Sequence, residues 1–382
     1  MRLTSLSLRH FRNHLNSDFE FGDGTNIFLG SNGEGKTNVI EAISYLCLTK
    51  SFYAGGDSLV LRFGESMFEV EGKISADSGI ESTVRVAFSE PAGEKLFSIN
   101  RKRIERLYTV IGQFPVVICS PEHAPITMGS PSERRKFVDL ILSQSNAAYF
   151  QDLLEYRRVL KHRNKILFNA RTSRSDPEGV IDPWDEQVAA LGARIMMRRM
   201  TFVREFRSFV SSAYVQFVEK EEQPSIEYAP TVAMADAADE SNVQQLLREA
   251  LREKREEERK IGTTLIGPQR DEFRLAINGL ELRKFASQGQ HKTFLVALKM
   301  AEFFFLKDRC RETPILLLDD VFSELDDQRV TRVLRFVGEL SQTFITSTSA
   351  QLFEMTVPAN DRNRKFSIHG GAVVNWNPAE VA

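Results

Sequence analysis

Gly30-Ser31-Asn32-Gly33-Glu34-Gly35-Lys36-Thr37 is a G-x-x-x-x-G-K-T stretch set between an apolar run, Asn26 to Leu29, and a helical pattern, Asn38 to Leu48. In the second segment Val39, Ile40, Ile43, Leu46 and Cys47 recur at helical spacing. Strand, glycine-rich turn and helix form the context that a phosphate-binding loop requires. Glycine at 30, 33 and 35 lets the backbone curl until successive N–H groups face phosphate oxygens, through φ values that other residues rarely adopt. The helix that follows adds positive potential. Lys36 is placed to bridge the outer phosphates, and the Thr37 hydroxyl to take one position on Mg²⁺. The stretch therefore predicts a nucleotide site with Mg²⁺ in an α/β fold.

The acids that such a site needs lie far downstream. Ile315-Leu316-Leu317-Leu318-Asp319-Asp320 is a continuous apolar run ending in two acids, which reads as a strand buried on both faces of a parallel sheet. Ligands bind at the carboxyl ends of such strands. Asp319 is expected to hold the Mg²⁺ shell, and Asp320 to orient or deprotonate an attacking water. Between the two halves, Ser287-Gln288-Gly289-Gln290 precedes a helical pattern from His291 to Leu306. Serine and glycine at a helix start are a second phosphate-recognition device. In a chain with one phosphate loop it needs another phosphate, and the economical source is the γ-phosphate on a second copy of the chain. The plainer reading of the same residues is an ordinary helix cap.

These pieces carry a resemblance. With Phe11-Arg12-Asn13, Ser51-Phe52, Ser120-Pro121-Glu122, Gly129-Ser130-Pro131-Ser132-Glu133-Arg134-Arg135, Leu265-Ile266-Gly267-Pro268, Arg270-Asp271 and Val321-Phe322-Ser323-Glu324-Leu325-Asp326, the chain resembles the RecF family nearly end to end. That family of bacterial recombination and repair ATPases is related to SMC and ABC heads. The resemblance implies an ABC/SMC-type head that is split in sequence by an inserted, mostly helical arm. It also implies an ATP-dependent head-to-tail homodimer, with Ser287, Gly289 and Gln290 reading the opposite nucleotide. Arg12, Asn13 and Asn38 join the phosphate loop as nucleotide contacts, Lys36 and Asp320 are the catalytic pair, and Thr37 and Asp319 the metal ligands. The implied activity is a weak, DNA-stimulated ATPase. Its implied task is to bind double-stranded DNA and single-strand/double-strand junctions and to help RecR and RecO load RecA. Two departures stand out. Gln269 occupies a position where the family commonly has histidine, and Ser347 falls about where ABC transporters keep a switch histidine.

Composition sets outer limits. A chain of 382 residues, 27% charged and 42% hydrophobic, fits two soluble domains, and no apolar run approaches the length of a membrane span. The N-terminal Met1 to Leu8 alternates like a strand and lacks the apolar core of a signal peptide, which points to the cytoplasm. Cys47, Cys119 and Cys310 are widely spaced among apolar neighbours and read as free thiols. No C-x-x-C occurs, against the zinc hook of the long-armed relatives. A net charge of −2 does not advertise nucleic-acid binding, so any such surface is local. From Arg134 to Arg174 ten Lys or Arg face three acids, an excess of seven that can drive counterion release. Arg134, Arg135, Arg157, Arg158, Lys161 and Arg163 are accordingly the candidate DNA contacts.

In chain order, strand-like alternation and a turn at Gly22-Asp23-Gly24 lead into the phosphate loop, and strands continue from residue 59 to 119. Ser130-Pro131-Ser132-Glu133 reads as a capping box opening a helix. Helical patterns then run to about Arg259, broken by Asp176-Pro177-Glu178-Gly179, and Asn278-Gly279 marks a hairpin. The expected organisation is an ATPase head over residues 1–120 and 263–382 with an arm over 121–262. Ser323 to Asp326 is expected to meet the opposite protomer. A kinase-like enzyme with a helical lid, or an SMC-like structural head with a kleisin partner, are the competing readings. Neither a monomeric kinase's lack of use for the Ser287–Gln290 motif nor the short, hookless arm favours them.

Overall fold

Every residue of the strand Thr25–Leu29 is buried, because it lies inside a sheet covered on both faces. The computed structural model describes residues 1–173, 179–218, 222–234, 239–322, 327–338, 340–349 and 362–375. The chain forms two compact units, one of Met1–Ala124 with Leu295–Ala382, the other of Pro125–Phe294. In the first unit a six-stranded sheet runs in the order Ala372–Asn375, Arg364–His369, Thr25–Leu29, Thr343–Ser347, Ile315–Asp319, Val116–Cys119. All pairings are parallel except the edge hairpin of the first two strands. Phe28 locks the phosphate-loop strand in place, with its ring 5.5 Å from Phe366, 5.8 Å from Phe19 and 6.3 Å from Phe344. Such ring pairs add directional preference to the burial itself.

A second six-stranded, antiparallel sheet contains Arg2–Phe11 and Met67–Ser75. Leu3, Leu6 and Leu8 break strict two-residue alternation, yet all three are buried. The pairing register shifts between Leu3 and Ser5, and this bulge returns the apolar side chains to one face. Gly72 sits under the helix Lys36–Leu48: a Cβ there would collide with Leu46 and Leu3, so glycine allows the helix to lie on the sheet.

The second unit is built on the helices Pro131–Ser145, Ala147–Ser173, Asp182–Tyr214 and Glu240–Ile261. Glu240–Ile261 buries Val243, Leu247 and Leu251 on one stripe, is capped by Asp239, and ends on the left-handed Gly262. Two buried arginines hold these helices together. Arg163 reaches Asp185 at 2.6 Å, the Thr264 hydroxyl at 2.8 Å and Glu258 at 2.7 Å, the last contact without hydrogen-bond alignment. Arg199 donates to Asp139 at 2.7 Å and to the Pro268 carbonyl at 2.6 Å.

Several expectations change here. Arg163 is a core cation of the arm, fully buried, and presents no surface to DNA. Arg134 is likewise buried, its guanidinium doubly bonded to Glu272 at 2.9 Å and donating to the Gly129 carbonyl at 3.0 Å. No capping box forms at Ser130, whose hydroxyl instead lies 2.7 Å from that of Ser132; Glu133 takes Lys136 at 2.9 Å. Pro131 does open the helix. The second unit extends past residue 262 to Phe294, because Glu272–Ile277 pairs antiparallel with Pro224–Ala229 inside it. The Asn278-Gly279 hairpin forms with both residues at positive φ. Cys47 and Cys119 are buried free thiols and Cys310 is half-buried. The break at Asp176 to Glu178 and the stretch Ser323 to Asp326 lie outside the described residues.

Removing Arg163 strands two acids in the interior, a change that costs about 3–5 kcal/mol for a buried pair. Arg163→Met is therefore expected to lower urea stability by that amount, and adding Asp185→Leu and Glu258→Leu to restore part of it. A loss in the range of exposed pairs, below about 1 kcal/mol, would show that the arm does not depend on this cation.

Candidate nucleotide site

The three central parallel strands end at one edge of the sheet, with Asp319 in register with Thr346 and Ser347 with Leu29. The phosphate loop joins that edge to the helix Lys36–Leu48. This helix opens without a side-chain cap and without an acid in its first turn. Its first N–H groups have no intrahelical acceptor, and they leave positive potential directed at the loop. Gly30, Gly33 and Gly35 all have positive φ, as the loop reading requires.

Lys36 is buried, and its ammonium donates to the carbonyls of Gly30 and Ser31, each at 2.8 Å. Burial pushes its pKa below the usual lysine range, partly offset by Asp320, Asp319 and Glu34. The Thr37 hydroxyl donates to Asp319 at 2.8 Å, and the Thr346 hydroxyl donates to the same carboxylate oxygen at 2.7 Å. Burial pushes the Asp319 carboxyl up, against the two hydroxyl bonds and Lys36. Asp320 is exposed, has φ 49°, and donates its backbone N–H to Thr346 at 2.9 Å. A left-handed conformation at a non-glycine residue is the kind of strain found at functional sites. Thr346 thus ties both acids together, a role that the sequence reading assigned to no residue. Its only sequence signal is the polar end of the apolar run Phe344-Ile345.

The residues before the loop serve it from outside. Arg12 donates twice to buried Glu41 at 2.8 Å and once to the Leu59 carbonyl at 2.8 Å, so its guanidinium is committed to the helix behind the loop. Asn13 donates to the Glu34 carbonyl at 2.9 Å and accepts from Asn38 at 2.7 Å. His14, buried, donates through Nε2 to the Gly35 carbonyl at 3.1 Å. Burial holds its pKa below the ordinary histidine value. From the other end of the chain, Gly371 N–H donates to the Glu34 carbonyl at 2.9 Å, and Gly370 N–H takes the Glu34 carboxylate. That carboxylate is the loop's own acid, and it would repel phosphate if it turned inward. Ser31, Asn32 and Gly33 lie on the open side of the loop.

Ser287 to Gln290 belongs to the second unit. It forms a reciprocal capping box at the start of the helix Gln288–Cys310: Gln290 N–H donates to the Ser287 hydroxyl at 3.2 Å, and Ser287 N–H to the Gln290 side chain at 2.9 Å. Ser287 is exposed and Gly289 half-buried, while Gln290 also donates to Glu222 at 3.0 Å. Gln269, at the position of the family's histidine, accepts from the Tyr156 hydroxyl and donates to the Ile266 carbonyl at 2.9 Å. Ser347 ends its strand buried and accepts from Ser349 N–H at 3.1 Å.

Known proteins share this fold. The DNA replication and repair protein RecF of Chloroherpeton thalassium is 43% identical over 357 residues, covering 92% of this chain and 96% of its own. The chain belongs to the RecF family. The sequence model of the RecF/RecN/SMC N-terminal domain matches residues 2–365. RecF of Salinibacter ruber is 40% identical and covers 99% of this chain and 93% of its own. Two solved structures, described as the recombination mediator protein RecF-ATPrS and RecF-ATP in the RecFOR pathway, are each 30% identical, with TM-scores of 0.91 and 0.89. They cover 98% of this chain and 98% and 97% of their own. An Smc head from Pyrococcus furiosus, 15% identical with a TM-score of 0.56 over 99% of this chain and 97% of its own, shares the fold alone. The fold is that of an ABC/SMC-type ATPase head split by a mostly helical insertion. Among the described residues no helix is long and apolar enough to cross a membrane.

If Lys36 holds the outer phosphates, Lys36→Ala should weaken nucleotide binding by about 100-fold, roughly the loss of one charged hydrogen bond. Calorimetric titration with ATP measures it, and thermal unfolding should stay unchanged. Wild-type affinity in the variant would remove Lys36 from the site.

Proposed function

We propose that this chain is an ATP-binding and ATP-hydrolysing DNA repair protein whose heads pair over nucleotide, and that the pairing controls its hold on duplex DNA. The observation that carries the reading is the meeting of Lys36, Thr37 and Asp319 at an uncapped helix start. An uncapped helix, a buried ammonium and a hydroxyl–carboxylate pair suit a nucleoside triphosphate with one divalent cation. Thr37 and Asp319 would hold Mg²⁺, whose charge offsets that building on the transferred phosphoryl group. Lys36 neutralises the outer phosphates. Asp320 orients the attacking water and accepts its proton, its position set through Thr346.

On the same reading, nucleotide contacts come from residues 30 to 38, with Arg12 and Asn13 shaping the loop. Ser287, Gly289 and Gln290 of one protomer read the γ-phosphate held by its partner, so the closed form is an ATP-dependent homodimer. Hydrolysis is weak and stimulated by DNA, and it opens the dimer. The solved relatives named for the RecFOR pathway support a role beside RecR and RecO in loading RecA at single-strand/double-strand junctions, in the cytoplasm. For DNA itself, Arg157, Arg158 and Lys161 are exposed on the helix Ala147–Ser173, and Arg135 is half-buried on the preceding helix, Pro131–Ser145.

Asp320→Asn keeps the shape of the side chain and removes its capacity to accept a proton. The variant should bind ATP as wild type does but hydrolyse it at least about tenfold more slowly, a lower bound for losing a general base. In ATP it should sediment as a persistent dimer and hold duplex longer than wild type, whereas a non-hydrolysable analogue should erase the difference. A wild-type turnover rate would remove the base, and unaltered duplex lifetime in ATP would remove the switch.

Changing Arg157, Arg158 and Lys161 together to Gln should weaken duplex binding and flatten its salt dependence by up to about one unit of slope per lost phosphate contact. An unchanged slope in a fluorescence titration would place the DNA surface elsewhere.

A further inference from the structure

Within the helical unit a cleft of about 180 Å³ opens between the first turns of Pro131–Ser145, the helix Ala147–Ser173 and the Pro268-Gln269 turn. Its floor is carbon. Leu153, Tyr156 and Pro268 are buried there and Leu160 is half-buried. Its rim is cationic, with exposed Lys136 and Arg157 and half-buried Arg135, while buried Arg199 lies at the back.

Among the lining residues these four cations face a single carboxylate, Asp139. That carboxylate is already engaged: one oxygen takes the Tyr149 hydroxyl at 2.5 Å and Arg199 at 2.7 Å, and the other lies 3.6 Å from Arg157. Arg135 donates to the backbone carbonyl of Asp271 at 2.7 Å, and among the described residues it has no ion pair. Burial, followed by the nearby Arg199, pushes Arg135 below the usual arginine range. Glu272, Asp271 and Asp139 oppose that shift from nearby, but they already bond Arg134, Tyr228 and Arg199, so an anion delivered by a ligand would give this half-buried guanidinium the direct partner it lacks.

We propose that the cleft receives an acidic segment of a partner protein. One ring-sized apolar side chain would seat on Leu153, Tyr156 and Leu160 while flanking carboxylates meet Arg135, Lys136 and Arg157. A dry cavity of ~150 Å³ is enough to hold benzene, so the volume suits one Phe or Leu side chain. Apolar anchoring within a charged rim is how small interfaces concentrate their affinity. A duplex backbone matches the cleft less well. It offers phosphates to the rim but no apolar projection to the floor, which would stay wet. The inference uses no residue of the nucleotide site, but it shares Arg135 and Arg157 with the DNA surface proposed above, so acidic segment and duplex would compete for this rim.

The test is an array of labelled octapeptides in which one Phe, Trp or Leu is flanked by Asp and Glu at varied spacings, read by fluorescence anisotropy on the full-length protein. Binding should appear for some members and fall by about tenfold when the apolar residue becomes Ala or the acids become Asn and Gln. The same loss is expected in Arg135→Gln/Lys136→Gln and in Leu160→Gln proteins, each checked for unchanged thermal unfolding, whereas Arg158→Gln should bind peptide normally. If Leu160→Gln unfolds, the two cation changes carry the test alone. Absence of acid-dependent binding across the array, or its survival in Arg135→Gln/Lys136→Gln, overturns the proposal. Loss of duplex affinity in the cleft variants with no peptide binding assigns the cleft to DNA and overturns it equally.

Discussion

The strand Ile315–Asp319 lies between Val116–Cys119 and Thr343–Ser347, parallel to both, and the nucleotide site exists only because that pairing holds. Parallel pairing places the carboxyl ends of neighbouring strands together, so acids from residue 319 arrive beside a loop from residues 30 to 37. A shift by one residue would turn Asp319 into the layer on the other face and bring a leucine against Thr37. Complete burial of all five positions makes such a shift costly, since it would carry the Asp319 carboxylate away from its two hydroxyl partners into an apolar layer. Thr346 completes the register chemically, because its hydroxyl bonds Asp319 and accepts from the next residue's N–H.

The helical unit uses a different device. Its long helices carry many charges, and some of them, Arg163 and Arg199 first, point inward. Arg163 and Arg199 link all four long helices and the loop from Thr264 to Asp271, mostly through planar hydrogen-bond geometry. Buried ion clusters of this kind add modest net stability but penalise any packing that separates the partners. The loop that follows the helix Glu240–Ile261 is placed by the same arginines, with Leu265 N–H also bonded to Glu258 at 2.7 Å.

How much of this was legible depended on how local the signal was. Buried parallel strands read as continuous apolar runs, so Thr25–Leu29 and Ile315–Asp319 could be found from residues alone, and the glycines of the loop announced its conformation. The inward turn of Arg163 could not. An arginine among other cations on a helix looks like a solvated face, and only the meeting of three helices decides otherwise. The edge of the second unit was hidden for a similar reason: Glu272–Ile277 finds its partner Pro224–Ala229 about fifty residues away, across a long helix. At the bulge between Leu3 and Ser5 the apolar pattern was itself the signal, a broken alternation that the pairing register explains. Ser287 to Gln290 shows the limit of a short motif. Its atoms satisfy a helix cap completely, and the same exposed serine is what a partner's phosphate would meet.

The phosphate loop is held from outside by Asn13 and by Gly370 and Gly371, residues from opposite ends of the described chain. This gives the protein an order of assembly during synthesis. The loop and its helix leave the ribosome early, but the hydrogen bonds that draw Glu34 away from the phosphate side do not exist until residue 371 has emerged. A nascent chain therefore carries the motif without its finished shape. The finished loop thus depends on residues 370 and 371, and products truncated before them retain the whole G-x-x-x-x-G-K-T stretch without that part of the clamp.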